Sequence, residues 1–152
     1  MVAILLANFL GWPVLQLSIA YLSEHLPERW FHSSRGASSL EVSEANFYRR
    51  VLRIRTWKHL LPDGALWVGG TFSKRRIVSH RRTYLMRFAR EARRGELAHW
   101  CMLCCFPIFY VWNPPWARAL MTVYAVVTNV PCIVVQRYNR FALLRRLARR
   151  PA

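Results

Sequence analysis

The chain has 152 residues, 54% of them hydrophobic, and a formal net charge of +16, which limits it to about one domain. The charge alone would suit a nucleic-acid-binding domain, but such a domain spreads its basic residues over a folded surface. Here Asp, Glu, Lys and Arg are absent from residues 1–23, 97–117 and 119–135. This partition disfavours a soluble nucleic-acid binder and indicates an integral membrane protein.

The first apolar run predicts a transmembrane helix over residues 2–23, since a span needs about 20 residues. A secretory signal usually has positive charge before its apolar stretch, and none precedes this one. We therefore expect an uncleaved anchor whose N terminus lies outside the cell.

The middle segment, residues 24–96, carries 16 Lys and Arg against 7 Asp and Glu. A loop is predicted over 32–39, a helix from near Ser43 through residue 55, and a turn at 61–64. A basic amphipathic helix is predicted over about 77–95, of the kind that lies on anionic leaflets. Its apolar stripe is Leu85, Phe88, Ala89 and Ala92.

Two further spans are predicted over residues 97–113 and 118–136, joined by a short hairpin, and a tail rich in arginine follows. The positive-inside rule places the middle segment and the C terminus in the cytoplasm. The predicted fold is an all-α integral membrane protein with about three transmembrane helices and cytoplasmic amphipathic helices. We expect a single membrane-embedded domain over 1–152, passing several times through the plasma membrane.

His59 and Asp63 form the first candidate cluster, four positions apart at a helix end. A carboxylate can orient an imidazole and make it more basic, as acyl transfer requires. A histidine at this place can also simply cap the helix dipole.

Glu96 and His99 form the second cluster, three positions apart where a helix enters the predicted membrane. Ionisable residues at that depth are costly unless paired, which makes them candidates for a functional site. The spacing also occurs in helical metal sites, but those need more carboxylates. Structural pairing of Glu96 with an arginine is a further alternative.

The third cluster closes the last predicted span and comprises Asn129-Val130-Pro131 and then Gln136-Arg137-Tyr138-Asn139-Arg140. An interfacial belt explains such residues in general. The amides and guanidinium forks also suit recognition of a sugar or a phosphate.

With these motifs the chain resembles the glycosyl-4,4'-diaponeurosporenoate acyltransferases, small membrane proteins of bacterial C30 carotenoid biosynthesis. The matching strings are Arg55-Thr56-Trp57-Lys58-His59 with Asp63-Gly64, Glu96-Leu97-Ala98-His99-Trp100, Asn129-Val130-Pro131, and Val135 through Arg140. The resemblance implies that a fatty acyl chain is esterified onto the sugar of a glycosylated carotenoic acid, the closing step of staphyloxanthin-type synthesis. It also implies two partners, the glycosylated carotenoid acceptor and a fatty acyl thioester donor, in addition to membrane lipids.

For this chemistry two catalytic hypotheses stay open: His59 is the base and Asp63 orients it, or His99 is the base and Glu96 orients it. The residues expected to bind substrate, the donor's phosphates or the oxyanion are Trp57, Lys58, Arg94, Gln136, Arg137, Asn139 and Arg140. We expect no metal, no cofactor and no nucleic acid, and a homo-oligomer is compatible with so short a chain. The competing functions are another lipid-modifying membrane enzyme, such as a methyltransferase, and a non-catalytic protein that binds anionic lipid.

Overall fold

In the computed structural model, residues 2–32, 38–61, 72 and 77–149 are described, and every regular element among them is helical. The α-helices are α1 (Val2–His25), α2 (Ser39–Arg50), α3 (Ile54–Trp57), α4 (Arg82–Cys105) and α5 (Pro115–Ala148). Short 3-10 helices at Glu28–Phe31, Lys58–Leu60 and Phe106–Val111 follow α1, α3 and α4. The all-helical class is confirmed for the described residues.

Two described helices, α1 and α5, are long and apolar enough to cross a membrane. α1 coincides with the first predicted span, and α5 contains the predicted span 118–136 and continues into the basic tail. The predicted span 97–113 is divided between the second half of α4 and the 3-10 helix Phe106–Val111. Pro107 stands in the first turn of this 3-10 helix, where its missing amide hydrogen leaves no helical bond unmade. Three crossings therefore stay a prediction.

α2 begins four residues before the predicted start at Ser43, because Ser38 and Glu41 form a capping box. The Ser38 hydroxyl accepts from the Glu41 amide at 3.2 Å, and the Ser38 amide donates to the Glu41 carboxylate at 2.8 Å. These bonds satisfy donors that a helix start leaves unpaired. The predicted continuation through residue 55 is wrong, since Arg53 adopts a left-handed conformation with φ of 48°. The chain turns there and starts α3.

α4 joins the predicted amphipathic helix and the start of the predicted second span into one helix that passes through Gly95. It begins at Arg82 rather than near residue 77. The predicted apolar stripe is confirmed: all four of its residues are buried, with exposed fractions of 2% for Leu85, 2% for Phe88, 7% for Ala89 and 0% for Ala92.

Three apolar clusters hold the other helices around α4 and α5. Ala45 and Ile54, from α2 and α3, pack against Val135, Tyr138 and Phe141 of α5. Phe88 of α4 packs against Leu143 and Leu144 of α5. At the other end of the bundle Trp12 of α1 stacks on Phe109 with a centroid distance of 4.5 Å, beside Ala125. The polar residues predicted for function consequently meet where α2, α4 and α5 come together.

Candidate functional site

The site lies between α4 and α5, which run antiparallel. Their contacts show this direction: Glu96 bonds with Arg140, and His99, further along α4, bonds with Asn129, earlier on α5. On α5, Asn129, Gln136 and Arg140 are separated by seven and four positions, so they share one helix face. That face meets Glu96 and His99, which means that helix packing brings the second and third sequence clusters together.

The Glu96 carboxylate is held by two guanidinium groups of α5. Arg140 donates to Glu96 Oε2 from Nε at 3.2 Å and from Nη2 at 3.1 Å. Arg137 Nε lies 3.4 Å from Glu96 Oε1. The Glu96 side chain is only 12% exposed, so solvent screens these charge-assisted contacts much less than a surface ion pair.

α2 completes the network with two carboxylates. Glu44 Oε1 lies 3.1 Å from Arg137 Nε, and Arg137 Nη2 donates to Glu44 Oε2 at 3.3 Å. Glu41 Oε1 accepts from Arg140 Nη1 at 3.5 Å. Although Arg137 Nε is close to two carboxylates, its buried N–H makes no well-aligned hydrogen bond with any described residue.

Tyr48 of α2 donates a hydrogen bond to Glu44. Burial raises the pKa of Tyr48 to about 12, and the Glu44 carboxylate adds to the shift. Both effects disfavour the phenolate, because it would lose solvation and face a negative charge. The phenol therefore stays protonated and continues to donate its hydrogen bond to the Glu44 carboxylate.

His99 is half-buried, and its Nδ1 lies 3.0 Å from Asn129 Oδ1. The Asn129 amide nitrogen donates to the Ala125 carbonyl at 2.9 Å, which fixes the amide with its oxygen toward the ring. Facing this oxygen, Nδ1 donates the hydrogen bond, and a general base that acts through Nε2 requires the proton on Nδ1.

Gln136 lies on the shared face between Asn129 and Arg140. Its Oε1 atom is buried and accepts no hydrogen bond from any described residue. An unpaired buried acceptor normally costs about 1–3 kcal/mol. A hydroxyl donor from a bound substrate would remove that cost, so Gln136 is suited to binding a sugar hydroxyl.

The structure places the other predicted site residues elsewhere. Arg94 is 7% exposed, donates to Glu91 at 2.9 Å and to Glu24 at 3.4 Å, and so ties α4 to α1. Trp57 donates from its indole nitrogen to the Leu52 carbonyl at 2.8 Å.

His59 is exposed on the 3-10 helix Lys58–Leu60. Its predicted partner Asp63, with the turn at 61–64, falls beyond residue 61, where the described segment ends. Lys58 donates to Asn139 Oδ1 at 3.4 Å, which brings the first cluster against α5. Burial lowers the pKa of Lys58.

Three pairings were not predicted from the sequence: that of Asn129, a member of the third cluster, with His99, and those of Glu41 and Glu44 with the α5 arginines. A signal existed for Asn129, because an amide inside an apolar run, seven positions before Gln136, lies on the same helix face. No local signal existed for Glu41 and Glu44, since their partners lie 99 and 93 positions away.

Comparison with known proteins agrees with the resemblance carried by the motifs. The family model for glycosyl-4,4'-diaponeurosporenoate acyltransferase (CrtO) matches residues 27–149. Curated relatives with that name from Staphylococcus aureus strains bovine RF122 / ET3-1 and USA300 are each 31% identical, over 91% of this chain and 87% of theirs. The relative from strain Newman is 30% identical over 85% of this chain and 79% of its own. No solved structure matches the chain. The chain therefore belongs to the glycosyl-4,4'-diaponeurosporenoate acyltransferase family, whose named members are enzymes that transfer acyl groups.

Proposed function

We propose that this chain esterifies a fatty acyl chain, delivered as a thioester, onto a sugar hydroxyl of a glycosylated carotenoic acid at the membrane surface. Family membership supports the acyl transfer and the glycosylated acceptor. The observation that carries the proposal is the His99–Asn129 pair, together with the unpaired Gln136 oxygen on the same face of α5. A base of fixed tautomer and a free acceptor are what deprotonation and binding of a sugar hydroxyl require.

In the proposed reaction His99 Nε2 takes the proton of the sugar hydroxyl while the hydroxyl oxygen attacks the thioester carbonyl carbon. A carbon–oxygen bond forms, the carbon–sulfur bond breaks, and the leaving thiolate takes the proton back from the imidazolium. Asn129 is a positioning residue because it acts through the His99 ring. Gln136 accepts a hydrogen bond from a second sugar hydroxyl.

The transient oxyanion needs a donor that is already in place. The Arg137 guanidinium, whose side chain is 32% exposed, is suited to that role through a nitrogen other than Nε, because Nε lies 3.1 and 3.4 Å from the Glu44 and Glu96 carboxylates. In this proposal Glu96 keeps Arg137 and Arg140 in position, and Asn129 rather than Glu96 orients His99. Arg94, with two carboxylate partners, holds α1 on α4 in the same proposal.

Both substrates are amphiphiles, so they meet only where the protein contacts a bilayer. We place α1 across the membrane together with two further spans, 97–113 and 118–136. The described ion pairs cluster at the end of the bundle that also carries α2. By the positive-inside rule that end is cytoplasmic.

The test is mass spectrometry of carotenoids from cells that make the glycosylated carotenoic acid, with and without this chain. We expect a new species heavier by one fatty acyl group. If the glycoside is unchanged while the protein is shown to be in the membrane, the function is not acylation of this acceptor. The non-catalytic lipid-binding alternative would then be the better account.

Variants of three histidines separate the possible bases. We expect His99→Ala to lower the transfer rate by about 100- to 10,000-fold, the range found for loss of a general base. His80→Ala changes an exposed histidine outside the site and should leave the rate unchanged. If His59→Ala stops transfer and His99→Ala does not, then His59 is the base and the assignment to His99 is wrong.

A further inference from the structure

The glutamates of this chain form ion pairs with only a few of the described arginines. The sequence has seven acidic residues, six of them glutamates, and every glutamate forms an ion pair in the structure. Among the described residues, these pairs involve four arginines: Arg90, Arg94, Arg137 and Arg140. Most of the described Lys and Arg residues therefore form no ion pair with a glutamate.

Six cations outside those ion pairs line one cleft between α2, the Ile54–Leu60 region and α5. The cleft has a volume of about 630 Å³, and no carboxylate is among its described lining residues. The six are Arg49, Arg55, Lys58, Arg145, Arg146 and Arg149. We call this the basic cleft. It lies on a different face of α5 from the Glu96 network, because Tyr138, Ala142, Arg145 and Arg149 follow one another at helical spacing.

Contacts with α5 hold two of the cations at the cleft. Arg55 Nε donates to the Tyr138 hydroxyl at 3.1 Å. Lys58 Nζ donates to Asn139 at 3.4 Å and lies 5.7 Å from the centre of the Tyr138 ring. Tyr138 and Asn139 are themselves buried, at 6% and 8% exposed, so the positions of Arg55 and Lys58 are set before any ligand arrives.

The other part of the cleft wall is apolar. Phe88 and Leu143 are each 2% exposed, and Ile77 lies beside them. A single inorganic phosphate would leave most of the 630 Å³ empty, whereas cavities of about 300–1,000 Å³ take organic ligands. The expected ligand thus has both anionic groups and an organic portion.

Clustered cations without counterions repel one another and oppose folding. Arginine forks and lysine ammonium groups are the side chains that proteins use for phosphate oxygens. We propose that the basic cleft is a binding site for an organic ligand that carries two or more phosphate groups. Identifying this ligand with the carrier of the acyl donor rests on the proposed function, whereas the binding of a polyphosphate does not.

The test uses the purified full-length protein in a neutral detergent, with coenzyme A as the polyphosphate probe and adenosine as its phosphate-free counterpart. Titration calorimetry should detect coenzyme A and not adenosine. The double variant Arg145→Gln/Arg146→Gln should weaken coenzyme A binding by roughly tenfold or more, since each lost charge-assisted contact is strong. The matched control Arg50→Gln/Arg93→Gln removes the same charge from exposed positions outside the cleft and should change the affinity less than about twofold.

A second pair of variants distinguishes a loss of binding from a loss of folding. Arg49 and Arg50 are neighbours on α2, both exposed, but only Arg49 lines the cleft. Arg49→Gln should therefore weaken binding and Arg50→Gln should not. Equal weakening by the cleft variants and their controls would mean a general charge effect and would overturn the proposal.

Nanodiscs distinguish a soluble polyphosphate from lipid headgroups. If coenzyme A binds equally well in phosphatidylcholine and phosphatidylglycerol discs, the ligand is soluble. If phosphatidylglycerol stabilises the wild type more than the cleft variants and coenzyme A does not bind, single headgroup phosphates fill the cleft and the proposal of a polyphosphate ligand is overturned. Binding of neither probe sinks the proposal. Acyl transfer that persists without coenzyme A binding overturns the basic-cleft proposal and leaves the proposed function intact. Coenzyme A binding without acyl transfer supports the basic-cleft proposal and contradicts the proposed function.

Discussion

Arg140 donates two hydrogen bonds to Glu96 across the α4–α5 interface, at 3.2 and 3.1 Å, although the two residues are 44 positions apart. The exposed fractions of the two side chains are 16% and 12%. Arg137 adds a second cation to the same carboxylate. Glu96 thus balances two guanidinium groups of the candidate active site.

Glu96→Gln should destabilise the protein by about 1–3 kcal/mol, because Arg137 and Arg140 would keep only the more exposed carboxylates of α2 as counterions. Glu28→Gln is the matched control: Glu28 pairs with Arg90 at 3.4 Å but is 62% exposed, and such surface pairs contribute about 0–1 kcal/mol. Thermal unfolding in detergent measures both. An equal loss of stability in the two variants would show that the Glu96 ion pairs contribute no more than a surface ion pair.

Asn129→Ala should lower kcat by roughly 10- to 100-fold with little change in KM, because the variant loses the orientation of the base but no substrate contact. Asn8→Ala is the comparison variant. Asn8 exchanges hydrogen bonds with Asn113 at 2.8 Å at the other end of the bundle, so its loss should reduce thermal stability and leave kcat unchanged. A rise in KM without a fall in kcat in Asn129→Ala would contradict the positioning role.

Lys58→Met should raise the melting temperature of the ligand-free protein and reduce its stabilisation by coenzyme A. The pKa of Lys58 is lowered by burial, with Arg55 and Arg146 adding repulsion and Tyr138 opposing it. Removing the ammonium relieves this cost but also removes one of the six cations proposed to bind phosphate. Thermal shifts with and without coenzyme A measure both effects, and Arg50→Gln should show neither. A lower melting temperature without ligand would argue against electrostatic strain in the basic cleft.

Tyr48→Phe should make the melting temperature fall less steeply as the pH is raised through the alkaline range. The pKa of Tyr48 is raised from 10.0 to about 12, so the folded state holds a proton that the unfolded state releases first. Its contribution to stability is complete below about pH 10 and is lost as the pH rises toward about 12. Melting temperatures of wild type and variant should converge over this range, whereas Tyr21→Phe, at an exposed position on α1, should not show the convergence.

Gly11→Val should loosen α1 from the bundle. A Cβ atom at Gly11 would lie 2.9 Å from Phe109 Cε1, and Phe109 cannot withdraw because it is 1% exposed and stacked on Trp12. Overpacking of this kind costs about 1–3 kcal/mol. Ala7→Val, at an exposed position of the same helix, should cost less than about 0.5 kcal/mol. Similar melting temperatures for the two variants would show that α1 does not pack as described.

Local patterns in the sequence were sufficient for the helical class and for the face of α4 that is buried. Helix formation and amphipathic spacing depend on residues three or four positions apart, so the spacing of Leu85, Phe88, Ala89 and Ala92 is enough to identify them as a core stripe. The motifs around His99 and Gln136 likewise marked the family and the residues from which the candidate site is built.

The two ends of α2 were not determined by the apolar spacing. A side-chain hydrogen bond from Glu41 moved the start of α2, and the left-handed residue Arg53 ended the helix that the apolar spacing had extended. Periodicity reports which face of a helix is apolar, but not where caps and turns interrupt it.

Only the tertiary structure assigned Asn129 to His99, five of the six glutamates to their arginines, and six further cations to the basic cleft. The 23 Lys and Arg residues look alike in the sequence, and Glu91–Arg94, three positions apart on α4, is the one described ion pair that is local. The other described ion pairs depend on the distances that helix packing sets between residues 41 to 99 positions apart. The sequence determined the helices and the chemical groups they carry, and the packing of α2 and α4 against α5 determined which of those groups meet and which stay available for an anion.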